Sequence, residues 1–178
     1  MTSLPTAATA GAVLRPPRNR PERRAVAWWT TRTLLVAAPA AVAPAVAAAV
    51  APMLTAVPAA LVTALWLAAA ALGAAGLAVA VAMPQWRFRV HRWEVTETAV
   101  YTAAGWLWQE WRVAPMSRIQ TVDTHRGPLQ RLFGLVDVTV TTASAAGPLT
   151  IDGLDSERAE RIAAELTEST GNTEGDAT

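Results

Sequence analysis

Two long apolar runs fill the first half of the chain, and a pattern of period two fills much of the second. No Asp, Glu, Lys, Arg or His stands between Arg32 and Arg87. A soluble domain needs charge where it meets water, so an uncharged stretch of this length points to lipid. The first run, Thr33 to Met53, and the second, Ala59 to Met83, are each long enough to cross a hydrocarbon core at about 1.5 Å per residue. The first is rich in Ala and carries Pro39 and Pro44, kinks that a membrane tolerates. The second, with Leu61, Leu65, Trp66, Leu67, Leu72 and Leu77, is the more strongly apolar. Only Leu54 to Pro58 joins them, which dictates an antiparallel hairpin whose outer ends share a side. Gly73 and Gly76, flanked by Ala69 and Ala80, form a small-residue surface that lets helices approach closely, with the first run as the expected partner.

From Trp93 onward apolar and polar residues alternate, as in strands with one face buried. The pattern predicts strands at Trp93–Ala103, Trp106–Val113, Ser117–Thr124, Leu135–Thr142 and Leu149–Ile151. Turns are expected at Ala104-Gly105, Gly127-Pro128 and Ala145 to Pro148. Leu129 to Phe133 reads as a short helical turn stopped by Gly134. The last element is a helix capped by Asp155 or Ser156, with Ala159, Ile162, Ala163 and Leu166 on one face and a Glu157–Arg161 pair four residues apart. About 75 residues make a small core, so Trp93, Trp106, Trp108, Trp111 and Phe133 are expected to supply much of it.

Four segments follow: a disordered basic arm (1–27), an apolar hairpin (28–86), a β-rich domain with its closing helix (87–168), and a disordered tail (169–178). Charge then fixes an orientation. Residues 1–32 carry six Arg and one Glu, while residues 87–178 carry nine Arg and thirteen acids. Trp28 and Trp29 precede the first run; Trp86, Arg87, Arg89 and Arg92 follow or border the second; the connecting turn has no charge. Tryptophan favours the membrane interface and arginine the cytoplasmic side, so these six residues are expected at the interface and both termini in the cytoplasm of a multi-pass cell-membrane protein. A cleaved signal fits less well, because the basic region is long and a second run follows at once. Nucleic acid is not an expected partner, since no aromatics interleave with the arginines of the arm.

Chemistry is sparse. The chain has no cysteine, and its two histidines, His91 and His125, do not form a ligand pair at helical spacing. Asp123 and His125 share a strand face, but a solvated strand end is the plainer reading. No glycine-rich phosphate loop or serine-nucleophile motif occurs. Arg118, Arg126 and Arg131 are the candidate anionic-ligand patch, against the plainer reading of solvated or paired arginines. No catalytic residue, cofactor or metal site is expected.

Ser117-Arg118-Ile119-Gln120-Thr121-Val122, the run Gly127-Pro128-Leu129-Gln130-Arg131-Leu132-Phe133-Gly134, and the strand Val138-Thr139-Val140 carry a further signal. Together with the preceding hairpin and the helix after Ile151-Asp152-Gly153-Leu154, they resemble the bacterial pleckstrin-homology-like domain of the second type, the membrane-flanked, YdbS-like family. The resemblance covers about residues 30–168. It implies an α+β membrane protein in which a two-helix transmembrane hairpin precedes a pleckstrin-homology-like split barrel capped by a C-terminal helix. Where the family often has a basic turn, this chain reads Val95-Thr96-Glu97-Thr98. The expected role is a non-enzymatic binding or scaffold module that contacts another membrane or membrane-associated protein, with homo-oligomers open. Sensing of an anionic lipid or ligand by the arginine patch is the alternative.

Overall fold

The computed structural model of the protein describes residues 16–105, 108–144 and 147–175. Trp106, Leu107, Ala145 and Ala146, which carry parts of the expected third strand and last turn, lie outside the described residues, as do Arg15 and the start of the arm.

Two helices come first: α1, Arg24–Leu54, and α2, Ala59–Val90. At 1.5 Å per residue each is about 46–48 Å long, well beyond a hydrocarbon core of about 30 Å. They pack side by side along their length. The glycine stripe explains how: a Cβ on Gly73 would meet Ala41 Cβ at 3.8 Å, and one on Gly76 would meet Ala37 Cβ at 2.9 Å. Leu35, Val36, Leu67 and Val81 face outward and are exposed. In a soluble protein such helices would be buried, so the outward apolar surface is what a membrane protein presents.

The rest of the chain forms two three-stranded antiparallel sheets and a closing helix. The first sheet holds β1 (Arg92–Val95), β2 (Ala99–Ala104) and β3 (Glu110–Pro115) in that order. A 3-10 turn, Met116–Arg118, leads to the second sheet of β4 (Ile119–His125), β5 (Leu135–Thr142) and β6 (Leu149–Asp155). The short helix α3, Pro128–Phe133, connects β4 to β5 and ends at Gly134, whose φ of +64° suits only glycine at low cost. The final helix α4, Ser156–Gly175, continues beyond the expected boundary into the segment read as a tail. Its first turn is capped by Asp155, whose Oδ1 accepts from Glu157 N–H at 3.1 Å.

The core is aliphatic rather than aromatic. Val100, Val138, Val140, Ile151 and Leu154 of the sheets meet Ile162 and Leu166 of α4 around one aromatic, Trp93. Trp108 is 87% exposed and Trp111 43% exposed, which corrects the expectation that they build the core. The reason is register. Trp111 stands opposite Ala103, which stands opposite Arg92, so all three share the face turned away from Trp93.

The arm is also more ordered than its composition suggests. Asn19 exchanges two backbone hydrogen bonds of 3.0 Å with Trp93, covering the outer edge of β1, and Glu22 N–H donates to Gly153 O at 2.9 Å. Backbone pairing of this kind overrides a proline-rich composition, so residues 16–23 belong to the domain surface.

Candidate functional site

The outer ends of the two helices run on past the apolar stretches and become part of the β domain. Ala25, Trp28 and Trp29 of α1 are buried with Leu135, against Phe88 of α2 and against Leu129 and Phe133 of α3. Trp28 and Trp29 were expected in the interfacial belt. The structure instead places them in a dry joint between helix and domain, with Trp29 only 2% exposed. Two aromatic rings next to Leu135 bury far more apolar surface there than headgroups could cover. Trp86, by contrast, is about half exposed beside the second apolar run.

A β-bulge builds the polar side of this joint. Val136 pairs with Leu154 and Val138 with Ile151, so the single residue Asp137 faces two, Asp152 and Gly153. Gly153 has φ +67°, and a Cβ there would lie 2.8 Å from Ala25 Cβ. Glycine therefore satisfies both the bulge and the close approach of α1. The bulge turns three groups toward the helices. Asp152 Oδ2 accepts from Arg87 Nη2 at 2.5 Å, and the Arg87 guanidinium lies 4.6 Å above the Trp29 ring centroid. Asp152 N–H donates to His91 Nε2 at 3.3 Å. Gly153 N–H donates to Asp137 Oδ1 at 2.7 Å. The network continues into α3, where Gln130 Nε2 donates to Asp137 Oδ2 at 2.7 Å and Gln130 Oε1 accepts from Gly127 N–H at 2.6 Å. Beside it, Arg24 of α1 pairs with Asp155 at the end of β6.

Burial tunes this cluster. His91 is fully buried, and burial holds its pKa below the ordinary value, opposed by Asp152 and assisted by Arg87. Burial pushes the Asp137 carboxyl up, Asp152 adds to the rise, and the bonds from Gly153 and Gln130 restrain it. Arg24 holds Asp155 below its ordinary value, chiefly by its hydrogen bond. Hydrogen bonds and ion pairs here link α1, α2 and α3 to β5 and β6, which makes the cluster a joint that fixes the domain on the hairpin.

The three arginines of the expected anionic patch are not brought together. Arg118 precedes β4 and Arg126 follows it; at about 3.3 Å per residue an extended strand separates them by roughly 25 Å. Only Arg126 and Arg131 share the α3 end, and all three are exposed. Asp123 and His125 lie on the exposed surface of β4, where Thr121 Oγ1 donates to Asp123 Oδ2 at 3.2 Å. Among the described residues no group of three or more His, Asp or Glu could hold a metal ion. Arg87 serves the joint, while Arg89 and Arg92 stay on the outer side.

The second feature is a free sheet edge. β3 ends the first sheet, and its outer flank faces the β5–β6 turn across a groove of about 220 Å³ lined by Trp111, Val113, Thr142 and Leu149. Arg112 Nη1 spans the groove to Pro148 O at 2.7 Å. Val113 is 44% exposed, so the edge presents Trp108, Trp111 and Val113 to solvent. Sequence periodicity showed that aromatics lie on both faces of this segment, but not which face the other sheet would cover.

Comparison with known proteins agrees with this architecture. A family model described as Bacterial PH domain matches residues 33–170. Transmembrane protein YdbS of Bacillus subtilis (strain 168) is 34% identical over 80 residues, which are 45% of this chain and 49% of that protein. The match thus spans about half the length of that relative. No solved structure matches.

Proposed function

The chain belongs to the bacterial PH domain family, and we propose that it is a non-enzymatic binding module, held at the cytoplasmic face of the cell membrane by a transmembrane hairpin, that docks another membrane-associated protein along the β3 edge. One observation carries this reading: β3, paired on one flank only, exposes Trp111 and Val113, with Trp108 exposed just before it. Soluble proteins blunt such edges with charge, proline or a covering element, because open backbone and apolar side chains pair with other chains. An extended segment added to β3 would gain main-chain hydrogen bonds and seat its side chains against Trp111 and Val113.

The rest of the reading concerns placement. A charge-free turn at one end of the hairpin and arginines at the other support a cytoplasmic β domain under the positive-inside rule. The two sheets with their closing helix support a split barrel. The tight joint supports a domain carried at a fixed height and angle, so the edge is offered to partners that share the membrane. The separation of Arg118 from Arg126 and Arg131 weighs against the three-arginine patch as one lipid sensor.

Photo-crosslinking residues placed at Val113 and, as a control, at Leu132 in the full chain test the reading in native membranes. The expected outcome is one discrete protein adduct from position 113, abolished by Trp111→Arg with the thermal midpoint unchanged. Adducts to lipid alone, or an identical pattern from both positions, would end the proposal. A doubled mass would identify the partner as a second copy of the chain.

A further inference from the structure

Arginines from three elements converge on the outer side of the joint, away from Asp152. Arg18 of the arm, Arg89 near the end of α2 and Arg92 at the start of β1 line a cleft of about 470 Å³. The pairing of Asn19 with Trp93 holds the arm there, so Arg18 and Arg20 flank a residue that is itself fixed. Burial lowers the Arg92 pKa, and the nearby charge of Arg20 lowers it further. Among the described residues the lining of the cleft includes no carboxylate. The arm's own acid, Glu22, faces elsewhere, 3.8 Å from Arg158. Glu94 is the next acid on the outer face, two residues along β1.

Three arginines lining one cleft repel one another, and a bound anion offsets that repulsion. Arginine suits phosphate, because its planar fork binds two oxygens at once. The wall also holds Gln109, whose amide can donate, and Trp111, an apolar surface at the mouth. The height of the cleft narrows the source. Arg89 lies six residues past Met83, about 9 Å along the helix from the end of the apolar run. That is the level of the headgroup layer outside a hydrocarbon core.

We propose that the cleft formed by Arg18, Arg89 and Arg92, with Arg20 beside it, binds the phosphate of an anionic phospholipid headgroup. This site shares no arginine with the patch expected from the sequence, and it does not depend on the protein-docking reading of the β3 edge. Its bound phosphate would tie the arm, α2 and β1 together at the bilayer surface.

The full chain, reconstituted in phosphatidylcholine bilayers with a minor share of phosphatidylglycerol and then released into mild detergent, tests it by native mass spectrometry. The native chain is expected to retain phosphatidylglycerol. The triple variant Arg18→Gln, Arg89→Gln, Arg92→Gln should lose about tenfold or more of that retention. A second variant of equal charge loss, Arg118→Gln, Arg126→Gln, Arg131→Gln, should keep it, which separates a built site from general attraction. Should the first variant not fold, Arg18→Gln alone, on the exposed arm, gives the same test. Displacement of the lipid by millimolar inorganic phosphate would support the phosphate site and make the free anion a competing ligand. Equal retention by native and Arg18→Gln chains, or equal loss in both triple variants, would overturn the proposal.

Discussion

Arg87 at the end of α2 and Asp152 in the bulge of β6 meet at 2.5 Å across 65 residues of sequence, and the same guanidinium covers the ring of Trp29. The contact joins both helices and the second sheet at one point. Both side chains are largely shielded from water, so the pair is worth more than an exposed ion pair. Truncation to Gln at position 87 should cost about 1–3 kcal/mol, since it strands a shielded carboxylate and uncovers Trp29. Thermal unfolding in mild detergent, followed by tryptophan fluorescence, reads the loss. Asp152→Asn should give a loss that is not additive with Arg87→Gln. Additive losses would show that the two side chains act independently.

Gly153 carries two constraints at once, a left-handed φ and a 2.8 Å approach to Ala25. Gly153→Ala should therefore cost about 2–4 kcal/mol, more than the backbone strain alone. Because the clash faces α1, the change should loosen the arm and first turn before the sheets. Tryptic cleavage at Arg23 and Arg24 should accelerate while cleavage at Arg118 and Arg126, on either side of β4, does not. Uniform acceleration along the chain would refute this local picture.

The pH dependence of stability should come from two opposed groups. Folding keeps His91 neutral below its ordinary pKa of 6.5, so under acid the unfolded chain takes up a proton that the folded chain refuses. Stability is then full above 6.5, falls as pH drops below it, and levels off at the folded pKa. Asp137 acts in the other direction. Its folded pKa is raised, so the folded chain binds that proton first, and stability rises as pH falls from the folded value toward 3.8. His91→Gln should flatten the loss that begins near 6.5, and Asp137→Asn should leave the His91 loss unopposed in acid. An unchanged slope in His91→Gln, measured as midpoint against pH, would rule out His91 as its source.

Local pattern revealed the elements but not the surfaces where they meet. Hydropathy located both apolar runs, and alternation located β5 with its observed limits, because those signals depend on neighbours in sequence, whereas β1 and β2 read as one strand because the turn at residues 96–98 holds no Gly, Pro, Asn or Asp. The helices run on past the expected ends, since residues 24–32 and 84–90 trade lipid for the domain as their apolar partner. That choice depends on Leu135 and Phe133, far along the chain. The same distance hid the joint. Asp137, Asp152 and His91 look like scattered polar residues until the bulge turns them together, and the sole trace in sequence is a glycine inside a strand. The three arginines of the patch are spread out for the opposite reason. Residues 118, 126 and 131 are close in sequence, but an extended strand lies between the first and the others.

The pairing of the two long helices can be checked by chemistry the native chain lacks. It has no cysteine, so any disulfide in a variant is engineered. A Cβ on Gly73 would stand 3.8 Å from Ala41 Cβ, inside the range of about 3.5–4.5 Å that a disulfide bridges, with no other near neighbour to displace. Ala41→Cys with Gly73→Cys should therefore oxidise within one chain. Both thiols should become unreactive to maleimide while the protein still migrates as a single chain on a non-reducing gel. Val42→Cys with Gly73→Cys serves as the control, because Val42 is exposed on the outward surface of α1. Protection in the control, or a dimer band from the first pair, would mean that the stripe faces a second copy and that the hairpin packs in another register.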